Sequence, residues 1–208
     1  MMLKFVSKNA LLLGLSAVAC VGLVAGVNQL TASRIGEQAK AARLASLQAV
    51  LPRGHQDAQL LSQCLLVQAP DAFGQPQTRI YRTQYQQQPV YVTETVAPDG
   101  YSGDILLLAA ISQQGVIYGV RTLAHKETPG LGDKIEVKRH PWILSFNDRQ
   151  VSGVDDKRFG VKKDGGEFDQ FTGATITPRA VIAAVKRAAL YIQAHPELAQ
   201  QRIECAGD

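Results

Sequence analysis

Residues 105–124 read ILLLAAISQQGVIYGVRTLA, two apolar runs rich in Ile, Leu and Val on either side of Gln113-Gln114-Gly115. Each run is shorter than an ordinary helix, and a short polar linker ending in glycine is what a tight reversal between two strands requires. The spacing therefore predicts a β-hairpin. Working back, residues 90–96 (VYVTETV) form a further β-branched run, separated from residue 105 by Pro98-Asp99-Gly100. That tripeptide is a turn on physical grounds: proline presets φ, and glycine accepts the left-handed conformation. Ile80-Tyr81 adds one more strand segment, and the set predicts an antiparallel sheet. Residues 55–77, with Pro70 and Pro76, read as loop.

Downstream of the hairpin, residues 126–134 (KETPGLGDK) hold two glycines and a proline with no apolar period, so a loop is expected whose backbone approaches something closely. Residues 148–168 form a second glycine-rich, charged, irregular stretch. A helix follows: Val181, Ala184, Val185, Ala188 and Ile192 repeat on one face, Thr177 is placed as N-cap, Pro178 as first helical residue, and His195-Pro196 as the stop. A last short helix toward Cys205 is expected. Strands grouped ahead of a helix make the fold class α+β, an antiparallel sheet with flanking helices.

The N-terminus is different in kind. No charged residue occurs from Asn9 to Ser33, and residues 10–27 are apolar apart from Ser16 and the glycines. Eighteen helical residues cover about 27 Å, close to the thickness of a bilayer's hydrocarbon core. Lys4 and Lys8 precede the run, which by the positive-inside bias keeps the N-terminus cytoplasmic. The expected organisation is residues 1–8 cytoplasmic, 9–31 transmembrane, 32–54 a stalk helix of Ala, Leu, Gln and Lys ended by Pro52-Arg53-Gly54, and 55–208 a domain outside the membrane. A cleaved secretory signal, a lipoprotein box around Cys20 and a buried helix are the rival readings of the apolar run.

The 22 basic and 18 acidic residues give a formal net charge of +4, but the basic ones are dispersed, which argues against nucleic acid as a partner. His55, His125, His140 and His195 lack metal-ligand spacing, so no metal site is expected. Beyond the apolar run the cysteines are Cys64 and Cys205, and either a disulfide or two free thiols fits.

Directly before the last long helix stands Asp169-Gln170-Phe171-Thr172-Gly173-Ala174-Thr175-Ile176-Thr177. Threonines around a glycine turn at a helix N-terminus suit an anion, because the first backbone N–H groups lack partners; Arg179 offers a further charge-assisted contact. By itself this is equally a plain capping sequence. The stretch resembles the flavinylation motif Asp-x-x-Ser/Thr-Gly-Ala-Thr of FMN-binding proteins modified by a flavin transferase, complete here at Asp169, Thr172, Gly173, Ala174 and Thr175. The N-terminal apolar helix, Gly100-Tyr101-Ser102-Gly103 and Glu127-Thr128-Pro129-Gly130-Leu131-Gly132 extend the resemblance to the G subunit of the Rnf ion-translocating electron-transport complexes over nearly the whole chain. The C subunit of sodium-translocating NADH:quinone reductases shares motif and anchor and is the near alternative; a non-redox, membrane-tethered flavin-binding or scaffold module is another.

The resemblance implies one covalent FMN, joined through its phosphate to Thr175, on a domain facing the periplasm from the bacterial inner membrane. It also implies electron transfer of the ferredoxin/NAD type coupled to ion movement, with other membrane and iron–sulfur subunits as partners, a flavin transferase acting during maturation, and no complete active site in this chain. Asp169, a carboxylate six residues before the acceptor, would orient or deprotonate its hydroxyl or help hold a metal during transfer; a plain cap or turn role is the alternative. Glu127, Thr128, Gly130, Leu131, Gly132, Thr177 and Arg179 are the expected further FMN contacts.

Overall fold

The computed structural model describes residues 2–52, 54–203 and 205; Arg53, part of the expected stop after the stalk helix, lies outside them. The chain divides into two compact units, Met1–Arg43 and Leu44–Asp208. The described residues of the first unit lie within helix α1, which runs Met2–Gln48 without a break between the expected span and the expected stalk. Its segment Asn9–Ala32 is long and apolar enough to cross a membrane, about 36 Å at the helical rise, and none of it is buried within the chain.

The second unit is built on an antiparallel sheet of strands β1 (Cys64–Val67), β2 (Thr78–Tyr85), β3 (Gln88–Ala97), β4 (Ile105–Ser112), β5 (Val116–Ala124) and β6 (Arg149–Gln150), whose order in space is their order in sequence. A short helix α2 (Pro70–Phe73) joins β1 to β2, and helix α3 spans Ile176–Ala194. The architecture is α+β, as the patterning predicts.

Register and alternation together sort the side chains onto two faces. On one face Leu65, Ile80, Tyr91, Leu107, Ala109 and Ile111 pack in a core with Val181, Ala184, Val185, Ala188 and Ile192 of α3. Burying each Val or Ile contributes roughly 1.5–3 kcal/mol, and the alanines between them let the helix lie close to the sheet. On the other face Cys64, Tyr81, Val90, Val92, Leu108 and Ala110 pack with Leu47 from the end of α1 and with Val50, Leu51 and Leu60. The sheet is therefore covered on both sides.

Two strands lie where loop is expected. β1 has four residues, too few to display a period, and is defined by pairing Cys64 with Tyr81 and Val67 with Thr78. β6 has two, set against Val116 and Ile117. β2 also runs past Ile80-Tyr81 to Tyr85, and it turns into β3 through Gln86 and Gln87, whose φ values of 51° and 63° form a primed hairpin turn without the glycine that usually marks one. Of the two options left open for the cysteines, the structure shows the disulfide: Cys64 on β1 is bonded to Cys205, with Cα atoms 5.2 Å apart. Arg82 holds the same C-terminal segment by donating to the carbonyls of Leu198 and Ala199 at 3.2 and 2.5 Å.

Candidate functional site

A cavity of about 330 Å³ opens where the 100–103 turn, the 126–132 loop and the start of α3 meet. The turn supplies Tyr101; the loop supplies Glu127, Thr128, Leu131 and Gly132; the helix start supplies Gly173, Ala174, Thr175, Ile176 and Thr177. Gly173 sits at φ 79°, which is why a glycine is needed there, and the turn it makes delivers Thr175 to the cavity.

The helix begins earlier than its sequence indicates. Thr175, not Thr177, is the N-cap residue, and its side chain makes no capping hydrogen bond. Pro178 is accommodated at the third helical position, since any residue of the first turn lacks an intrahelical N–H partner. Thr175 is thus partly exposed and, among the described residues, its hydroxyl is bonded to nothing, beside the orphan N–H groups that open a 19-residue helix. Thr177 is fully buried instead, and its hydroxyl donates to Glu127 Oε2. Its cap role gives way to a tertiary one.

Glu127 is 5% exposed and accepts a second hydrogen bond, from Ser102 N–H to Oε1 at 2.9 Å. The loop is steadied by His125, whose Nδ1 accepts from Glu127 N–H at 3.0 Å while Nε2 lies 2.7 Å from Glu136 Oε1. Because Nδ1 accepts, the neutral ring carries its proton on Nε2, toward Glu136. Around the mouth, Tyr101, Leu131 and Ile176 remain 68%, 42% and 47% exposed. Three apolar side chains kept in solvent around one opening form a rim suited to a flat apolar group.

Four residues singled out in the sequence stand outside the cavity wall. Asp169 is anchored by its carbonyl, which accepts from Trp142 Nε1 at 2.7 Å, while its side chain is 72% exposed and paired with Lys162. Thr172 and Gly130 are exposed turn residues. Arg179 makes a two-pronged ion pair with Asp164, Nε to Oδ2 at 2.7 Å and Nη2 to Oδ1 at 2.8 Å, and that pairing lowers the Asp164 pKa and raises that of Arg179. Among the described residues, no Lys or Arg lines the cavity. Among the described residues, no group of His, Cys, Asp or Glu has the arrangement to hold a metal ion. Tyr101 and Ile176 belong to the wall although neither is among the contacts expected from the sequence; the available signal was a lone aromatic in a glycine turn and an apolar residue interrupting a run of threonines.

Residues 100–190 match the model of the FMN-binding domain, and residues 1–50 match that of the RnfG N-terminal region. The G subunit of the ion-translocating oxidoreductase complex of Escherichia coli (strain K12) is 47% identical over 205 residues, 98% of this chain and 99% of its own length. Its namesake from Shewanella loihica is 46% identical over 198 residues, 94% of this chain and 93% of that one, and that of Vibrio cholerae serotype O1 (strain M66-2) is 45% identical over 209 residues, 99% and 100% of the two. Among solved structures, the C subunit of the Na(+)-translocating NADH-quinone reductase from Parabacteroides distasonis matches at 22% identity with a TM-score of 0.39. That match covers 61% of this chain and 65% of the other, a likeness too slight to carry an argument. Identity near one half from end to end, with the FMN-binding domain lying across the cavity just described, means that this chain belongs to the family of G subunits of ion-translocating oxidoreductase complexes.

Proposed function

We propose that the chain carries FMN as a phosphoester on Thr175 and relays electrons within a membrane-bound, ion-translocating oxidoreductase complex. The observation that carries this reading is the Thr175 hydroxyl: it caps nothing, it stands at the N-terminal end of α3, and it borders a cavity with an apolar rim. In the maturation step the hydroxyl oxygen bonds to the flavin-side phosphorus of FAD, the phosphoanhydride breaks, AMP leaves, and the hydroxyl proton goes to solvent or base. A flavin transferase supplies that catalysis. The open N–H groups at the start of α3 would hold the attached phosphate, since they favour an anion without a side-chain cation.

FMN, once attached, supplies the electron-carrying chemistry. The chain's own residues would do the rest: Thr175 would tether the carrier so that it is not lost by dilution, and Tyr101, Leu131 and Ile176 would give its ring an apolar seat. The other membrane and iron–sulfur subunits of the complex are the partners that provide the neighbouring redox centres. We place Asn9–Ala32 across the inner membrane with the N-terminus cytoplasmic, on the strength of Lys4 and Lys8, and residues 44–205 in the periplasm, where the Cys64–Cys205 bond suits an oxidising compartment.

The test is to produce the chain with an active flavin transferase, denature it and view the gel for flavin fluorescence. Wild type is fluorescent, Thr175→Ala is dark, and mass spectrometry finds FMN on the peptide that contains Thr175. A fluorescent Thr175→Ala protein overturns the assignment. For orientation, alkaline phosphatase fused after Arg43 is active; an inactive fusion there, with an active cytoplasmic reporter, reverses the topology.

A further inference from the structure

Three segments far apart in sequence line the cavity, and one side chain touches all of them. Glu127 belongs to the loop, its Oε1 accepts from Ser102 N–H in the turn that carries Tyr101, and its Oε2 accepts from Thr177 in the first turn of α3. Gly132 closes over the same junction: a Cβ placed there would lie 2.7 Å from Glu127 Oε2 and 3.0 Å from Thr177 Oγ1, so loop, carboxylate and helix meet with no spare room. Both donors to the carboxylate are neutral groups, and among the described residues no Lys or Arg pairs with it. A buried carboxylate with no cation beside it is screened less than one on the surface.

We propose that Glu127 is the positioning residue of the flavin seat, holding the turn, the loop and the helix start as one wall, and that its negative charge makes a flavin seated there harder to reduce. The inference rests on the reading that FMN occupies this cavity. The wall follows from the two hydrogen bonds, which tie the turn and the helix start to a carboxylate carried by the loop between them. The effect on reduction follows from Coulomb repulsion, because a group that gains electrons beside a fixed anion is disfavoured in its reduced form.

The test uses the full-length chain in detergent, matured with the transferase, as wild type, Glu127→Gln, Glu127→Ala and Thr177→Val. Glutamine keeps the size, accepts from Ser102 through its carbonyl and donates to Thr177 through its amide, so it preserves the wall while removing the charge. Amide hydrogen exchange reads the wall. In Glu127→Ala exchange rises together in residues 98–104, 125–132 and 172–180, in Thr177→Val it rises in the same three segments, and in Glu127→Gln it stays near wild type. Flavin reduction potential reads the charge, and in Glu127→Gln it moves to a more positive value. An exchange increase confined to residues 125–132 in both Glu127→Ala and Thr177→Val overturns the wall, and an unmoved potential in Glu127→Gln overturns the charge effect. Should Glu127→Ala fail to fold, Thr177→Val decides the first point and Glu127→Gln the second. A wild-type chain without flavin strikes instead at the Thr175 reading, and the exchange comparison still decides the wall.

Discussion

Two glycine-rich irregular segments, residues 125–134 and 149–168, look alike in sequence and are used in opposite ways. The first reaches other parts of the chain through one carboxylate: Glu127 accepts from Ser102 N–H and from the Thr177 hydroxyl. The second bonds mainly within itself, with further ties from Lys186 and Arg179 of α3, neither of which borders the cavity. Asp156 accepts from the N–H groups of Ser152 and Arg158 at 2.9 and 3.2 Å and from the Arg158 guanidinium, Arg149 pairs with Glu167, and Lys186 donates to the carbonyls of Val154 and Asp156 at 2.8 Å each. Glycine content marks backbone that departs from helix and strand. What sets the first apart as a candidate site is that its polar partners lie on elements that border a cavity.

Exchanging insults between the segments gives the largest expected effects. A Cβ at Gly166 would overlap the backbone of Gly160, so Gly166→Ala should cost about 1–3 kcal/mol of stability by overpacking, read by denaturant unfolding, while flavin per folded molecule stays at the wild-type level. Gly132→Ala drives its Cβ into Glu127 and Thr177, and there flavin per folded molecule should fall as well. If both substitutions, or neither, change flavin loading, the two segments do not differ in the way described.

Thr177→Val comes next. It keeps the volume and removes a fully buried hydroxyl, leaving Glu127 Oε2 without its donor, a loss of about 1–3 kcal/mol in thermal or denaturant unfolding. A change below about 0.5 kcal/mol, the size of an ordinary surface substitution, would mean that the hydrogen bond contributes little.

For the self-contained segment, pH is the sharper probe. Hydrogen bonding from Arg158 holds the Asp156 carboxyl well below the usual carboxylate range, with Ser152 N–H adding to it. A depressed folded-state pKa contributes stability that is fully present above the unfolded value of about 4 and lost as pH falls through the folded one. The stability gap between wild type and Asp156→Asn should therefore be widest near neutrality and narrow below about pH 4. A gap that stays constant from neutrality down to strong acid would contradict the assignment.

The smallest effect belongs to Arg179, which serves Asp164 on the self-contained side. Arg179→Ala should leave stability indistinguishable from that of an ordinary surface substitution, as exposed ion pairs do, and leave flavin attachment intact. A dark Arg179→Ala protein would return the guanidinium to the phosphate.

Legibility follows the range of the interaction. Strands β3, β4 and β5 are readable because each spans enough residues to show its composition between turn signals, and the expected and observed bounds of β5 coincide. α3 is readable from the period of Val181, Val185, Ala188 and Ile192. Its start is not, because Thr177-Pro178 is a good local cap and the competing tertiary bond to Glu127 leaves no local trace. β1 and β6 are defined by their neighbours rather than by their own residues. At the site, Gly173 and Thr175 are legible as a motif, and so is the loop that carries Glu127. The inclusion of Tyr101, and the diversion of Arg179 to Asp164, depend on where the chain returns after tens of residues.

The bond between Cys64 and Cys205 has a further consequence for the sheet's first strand. β1 is an outer strand, and an outer strand offers unpaired N–H and C=O groups on which a strand from another molecule can build. Cys205 N–H donates to the carbonyl of Cys64, and the sulfur link keeps the segment that carries it from lifting away. The opposite border, β6, has only two residues to offer. Neighbouring copies confined to one membrane plane would meet often, and the cross-linked flap on one side with the stunted strand on the other leaves them little from which to grow a shared sheet.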